Sequence, residues 1–132
     1  MQRGKLNALQ GLRRVVAQIL YSFQEMTGRL WGIAPAGGHG TISVGSNIAP
    51  KAYAEFHNAM IAGDFIKARE MNAKLDRLHK DLFVDPSPAP AKYALSLMGK
   101  MNPTVRLPIT ECRDSTKDLI RSAMGLAGVD HA

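Results

Sequence analysis

Apolar positions recur at intervals of three and four residues through most of this chain, and that spacing predicts helices. Between residues 50 and 62, Tyr53, Phe56 and Met60 fall on one face; Pro50 suits a first helical position, and Gly63 suits the position just past the end. Asp64 is placed to cap the next helix, Asp64 to Phe83, whose Ala68, Met71, Leu75, Leu78 and Leu82 form an amphipathic stripe with charges on the far side. Asp85 to Pro90 holds three prolines at alternate positions and predicts a stiff, non-helical connector. Beyond it, Pro90 to Lys100 reads as a helix burying Ala94, Leu97 and Met98. Asn102 to Thr110 reads as an extended segment packing Val105, Leu107 and Ile109 on alternate positions. Ser115 with Asp118 opens a last helix whose Leu119, Ala123 and Leu126 face inward, ended by Gly128.

The pattern changes before residue 50. Gly37, Gly38 and Gly40 permit a turn, and Thr41 to Val44 is β-branched and apolar except for Ser43, as a buried parallel strand should be. Gly45 to Asn47 then leaves the strand. Further upstream, Leu9, Leu12, Val16 and Leu20 give Leu6 to Phe23 a helical stripe.

The string Gly37 to Pro50 (GGHGTISVGSNIAP) resembles the last barrel strand and following loop of the dihydrodipicolinate synthase family, pyruvate-dependent Schiff-base lyases built on an eight-stranded barrel. Lys51 to Phe83, Val84 to Leu95 and Val105 to Thr110 follow the same family in order and spacing, so the resemblance runs over residues 37 to 128. The family usually carries Thr-Ala where Gly45-Ser46 stand, Asn where Ser87 stands and Pro where Glu111 stands.

The resemblance implies an α/β class: a fragment of a TIM (β/α)8 barrel, comprising its last strand and helix over residues 37–63, then a C-terminal helical extension over 64–132, mostly α as it stands. At 132 residues the chain is one domain's worth, short of the about 250 residues of a complete barrel. A lone barrel strand exposes unpaired backbone groups, so a poorly soluble or molten chain is expected.

Residues 1–36 do not show the family's expected pattern. Shifted by one position, codons for Met1 to Gly4 can spell Asp-Ala-Thr-Gly, and those for Val15 to Gly32 can spell a strand followed by a Gly-Asp-Asp loop. Both strings belong there in the family, so this segment is expected to be a frameshifted translation, with Met1 an accidental start.

Charge narrows the function classes. The net charge is +6, but Arg3, Lys5, Arg13, Arg14 and Arg29 against Glu25 place +4 of it in residues 1–36, leaving +2 for the rest. Without aromatic platforms or a groove-reading motif, that is a solvated surface rather than a nucleic-acid interface. No apolar run reaches the roughly 18 residues of a membrane span, and no secretory leader is evident at the start. One cysteine, Cys112, excludes an internal disulfide. A cytosolic protein is expected.

The chemistry implied by the resemblance is an imine between a lysine and pyruvate, whose enamine attacks an aldehyde, aspartate semialdehyde in the main branch that leads to diaminopimelate and lysine. That catalytic lysine would sit just before Met1, so the chain holds no catalytic residue and is expected to be inactive alone. Ile42 maps onto the pyruvate site through its backbone carbonyl, with Gly40 and Ser43 as neighbours. No cofactor or metal is implied, and the family assembles as homo-tetramers. Two alternatives stay open: a related aldolase of the N-acetylneuraminate lyase branch, or a non-catalytic helical interaction module.

Other residues offer less. His39, His57, His79 and His131 show no metal spacing, and His39 reads as a turn residue. Lys51 lies on an outer helix and Lys92 in a Pro-x-Lys segment, neither suited to replace the Schiff-base lysine. Cys112 lies among Glu111, Arg113 and Asp114 and reads as inert. Met60, Met71, Met98 and Met124 sit at core spacings.

Overall fold

The computed structural model describes residues 41–130. The chain divides into two compact units, 1–42 and 43–132, and the elements below belong to the second. The helix expected at Leu6 to Phe23, the turn at Gly37 to Gly40 and the frameshift expected over residues 1–36 lie outside the described residues.

Four α-helices make up the described fold: α1 (Pro50–Ile61), α2 (Phe65–Asp81), α3 (Ala89–Leu97) and α4 (Asp114–Leu126), preceded by a 3-10 turn at Gly45–Asn47. α1 packs on the turn and on α2, α2 on α4, and α4 in turn on α3. The core comprises Ile48, Tyr53, Phe56 and Met60, the α2 residues Ala68, Leu75, Leu78 and Leu82, and Ile120, Ala123 and Met124 from α4. The α1 and α2 stripes therefore lie where their spacing puts them, Met71 being half-buried.

Helix ends follow local chemistry. The Asp64 carboxylate accepts the Lys67 N–H at 3.1 Å, as expected for a cap. α1 ends in a left-handed glycine, Gly63 at φ 75°, with the Gly63 N–H on the Met60 carbonyl and the Asp64 N–H on the Ala59 carbonyl. This pair of bonds satisfies two of the carbonyls that a helix end leaves open. Gly99 and Gly128 close α3 and α4 by the same device.

Five expectations are corrected. Thr41 to Val44 is not a strand: residues 41–43 carry no regular structure, and Val44 has helical angles (φ −62°, ψ −43°) because it begins the 3-10 turn. Among the described residues there is no strand at all, so no ladder holds this segment extended. The proline connector is shorter than expected, since Ala89 and Pro90 already belong to α3; the first helical turn has no N–H bond for proline to break. α3 stops at Leu97, and it buries Ala89, Pro90, Tyr93 and Ala94, whereas Leu97 and Met98 are only half-buried.

The last two corrections fall beyond α3. Val105 and Ile109 are half-buried, but Leu107 is 86 % exposed, because a turn closed by the Ile109 N–H on the Arg106 carbonyl rotates it outward. α4 begins at Asp114 after Arg113, not at Ser115, and the Asp118 carboxylate pairs with Arg121 at 2.8 Å instead of reaching back to a cap. Its buried face is Thr116, Ile120, Ala123 and Met124; Leu119 is half-buried and Leu126 exposed.

Candidate functional site

Ile42, the expected substrate-binding residue, is exposed at the edge of the described chain, and the residue after it, Ser43, is buried. Gly40 lies outside the described residues. The chain from Ser43 onward is held by its own side chains: the Ser46 hydroxyl donates to the Ser43 carbonyl at 2.6 Å, and the Asn47 amide donates to the Val44 carbonyl at 3.1 Å.

Tyr53 rises from α1 against this turn. A Cβ placed on Gly45 would fall on the Tyr53 hydroxyl, with the ring Cζ at 2.6 Å, so the glycine is required by the tyrosine beside it.

The Tyr53 hydroxyl also lies 3.0 Å from Nδ1 of His79 on α2, and the two rings meet edge to face with centroids 5.2 Å apart. Burial pushes the Tyr53 hydroxyl up to about 12, with Ser43 acting in the opposite sense, so the phenol stays protonated. Burial also lowers the His79 pKa, against the pull of Asp76, which favours the neutral imidazole. The pair is a buried, neutral hydrogen bond between two helices. Nothing in the spacing of Tyr53 and His79 signalled it, because it depends on how α1 and α2 pack.

A second polar contact ties distant segments. Asp85, buried in the loop after α2, accepts the Arg113 backbone N–H at 3.1 Å and the guanidinium at 2.8 Å (Nε) and 2.6 Å (Nη2). The Arg113 guanidinium holds the Asp85 carboxyl below the usual carboxylate range. This forked contact fixes the start of α4, which has no side-chain cap of its own.

Lys51 is exposed on the first turn of α1, and the Lys92 ammonium donates to the Thr104 carbonyl. Lys117 is bonded to Asp114 at 2.9 Å, which pushes its pKa up, the reverse of what an imine-forming amine needs. Cys112 is buried, and burial raises its thiol pKa. His57 has its pKa lowered by burial. Among the described residues no group of three His, Cys, Asp or Glu side chains could hold a metal ion, and no helix is long and apolar enough to cross a membrane.

Cavities open on the described surface. One, of about 450 Å³, lies between the start of α1, α2 and the end of α4, and is lined by Ile48, Lys51, Glu55, Met71, Lys74 and Val129 among others. Another, of about 190 Å³, lies between α3 and α4 beside Tyr93, Cys112, Lys117 and Arg121.

This helical arrangement matches one portion of larger barrel enzymes. It superposes on a dihydrodipicolinate synthase from Thermotoga maritima with a TM-score of 0.75 at 38 % identity, over 80 % of this chain and 36 % of that one. A chloride-inhibited dihydrodipicolinate synthase from Acinetobacter baumannii, complexed with pyruvate, gives a TM-score of 0.71 at 37 % identity, over 77 % of this chain and 35 % of that one. The fold is thus that of a C-terminal part of these barrels. The model of the dihydrodipicolinate synthetase family matches residues 4–125, and the chain belongs to that family. It is 40 % identical to the 4-hydroxy-tetrahydrodipicolinate synthase of Afipia carboxidovorans over 132 aligned residues, 96 % of this chain and 45 % of that protein. Against the enzyme of the same name from Nitrosomonas europaea it is 50 % identical over 93 residues, 70 % of this chain and 32 % of that protein. The chain therefore spans less than half the length of these relatives.

Proposed function

We propose that this chain is the C-terminal part of a dihydrodipicolinate synthase-like lyase, which condenses pyruvate with aspartate semialdehyde on the route to diaminopimelate and lysine. The observation that carries this reading is the family match over residues 4–125, supported by relatives that share the name 4-hydroxy-tetrahydrodipicolinate synthase. In this reading the Ile42 carbonyl contributes to the pyruvate pocket, and the imine-forming lysine belongs to sequence upstream of Met1. The chain alone is then inactive. The same reading implies a cytosolic homo-tetramer in the intact protein.

Borohydride trapping with pyruvate tests it. No adduct is expected on the 132-residue chain, whereas the chain extended upstream into the family's preceding strands should gain one pyruvate-derived mass per polypeptide. A stable adduct on the short chain, or none on the extended one, overturns the proposal. The family model matches the sequence as given from residue 4, so a frameshift over residues 1–36 has to be tested on the gene itself. Codons unable to spell Asp-Ala-Thr-Gly when shifted would end the frameshift reading.

A further inference from the structure

Ser43 carries the chain from Ile42 into the helices, and among the described residues no strand holds it. Its restraints are side-chain contacts instead. The Ser43 carbonyl accepts from the Ser46 hydroxyl at 2.6 Å. The Ser43 hydroxyl acts on the Tyr53 hydroxyl, lowering its pKa against the effect of burial, and makes no other hydrogen bond among the described residues. Tyr53 is fixed in its turn. Its hydroxyl lies over Gly45, in the space a Cβ there would fill, and Nδ1 of His79 stands 3.0 Å from the same oxygen. Ser43, Tyr53 and His79 are each more than nine-tenths buried, so water does not compete for these contacts. One phenol oxygen thus ties residue 43 to both α1 and α2.

The Ile42 carbonyl belongs to the peptide unit that ends in the Ser43 N–H, and that unit is planar, so whatever fixes Ser43 sets the direction of the carbonyl. Resting on the lyase reading, in which this carbonyl contributes to the pyruvate pocket, we propose that Tyr53 is a positioning residue for pyruvate, holding the Ile42 carbonyl in its direction through Ser43 while His79 holds the tyrosine. Tyr53 itself touches no reacting atom. A misplacement of about 1 Å by a remote change can cost about a hundredfold in a site of this kind, so a single oxygen acting two residues away has a measurable reach.

The test follows borohydride trapping against pyruvate concentration in this chain continued upstream through the family's preceding strands. Tyr53→Phe keeps the ring over Gly45 and removes only the oxygen; it should raise the half-saturating pyruvate concentration about tenfold with the plateau of trapped protein unchanged. Ser43→Ala should do the same, and the double variant should be no worse than either single one, because both cut the same contact. Asp85→Asn, which breaks a different buried contact, should leave half-saturation where it is. A shift shared by all three variants reports lost stability and overturns the proposal, as does an unmoved half-saturation in Tyr53→Phe, a fallen plateau without a shift, or additive losses in the double variant. Failure is separable from that of the lyase reading: an unsubstituted protein that traps no pyruvate ends both, whereas an adduct whose pyruvate dependence ignores Tyr53 ends the positioning role alone.

Discussion

The Tyr53 hydroxyl and Nδ1 of His79 stand 3.0 Å apart, which makes a neutral hydrogen bond a polar link between α1 and α2. Removing the hydroxyl takes this partner from a buried ring nitrogen. Tyr53→Phe should therefore lower stability by about 1 to 3 kcal/mol, read as a fall in the urea midpoint at unchanged slope.

The same pair sets pH limits at both ends. His79 has a folded pKa below its ordinary value of 6.5, so the unfolded chain binds the extra proton first. Stability is present above pH 6.5 and is lost as pH falls through the lowered value. Tyr53 is raised from 10.0 to about 12, so its contribution is present below pH 10 and is lost as pH rises toward 12. Melting temperature against pH should show both shoulders. Tyr53→Phe should remove the alkaline one.

Gly45 and Tyr53 are predicted to couple. Gly45→Ala forces a methyl group onto the tyrosine hydroxyl and should cost about 1 to 3 kcal/mol, the usual range for overpacking. Shortening the neighbour by Tyr53→Leu should relieve it, so the double variant loses less than the sum of the singles. Equal losses in the cycle would show that the turn, not the ring, opposes the methyl.

Asp85→Asn keeps the shape of the side chain but removes the charge that receives Arg113 in a fork. A loss of about 1 to 3 kcal/mol is expected. Asp85 is lowered from its ordinary 3.8, so its stabilisation is present above pH 3.8 and is lost as pH falls through the lowered value. The acid limb of the unfolding curve should flatten in the variant.

The register of α4 yields a paired test. Ile120→Ala empties a fully buried position and should cost about 2 to 5 kcal/mol, whereas Leu126→Ala, at an exposed position, should stay within about 0.5 kcal/mol. Chemical denaturation of the two variants distinguishes this face from one built on Leu119, Ala123 and Leu126.

That contrast shows where sequence reasoning carried and where it failed. The α1 and α2 stripes were legible because each helix buries a narrow apolar seam, and Gly63, Asp64 and Gly128 are chosen by backbone needs that act within a few residues. α4 lies between α2 and α3, so its buried arc admits Thr116 and Met124 while leaving Leu126 outside, and leucine alone misled. Tyr53 with His79, and Asp85 with Arg113, are separated by 26 and 28 residues. No local spacing announces such pairs; they exist only after the helices have packed. The resemblance carried by Gly37 to Pro50 was legible as a string, yet Thr41 to Val44 forms no strand here, because strand geometry is a property of neighbours as much as of β-branched side chains.

Arg113 follows directly on Cys112, the one thiol in the chain, and that thiol is buried. Its rate of labelling by a small thiol reagent is therefore a clock for how often the Asp85 latch lets go, readable by mass spectrometry in a crude extract without purification or enzymatic turnover.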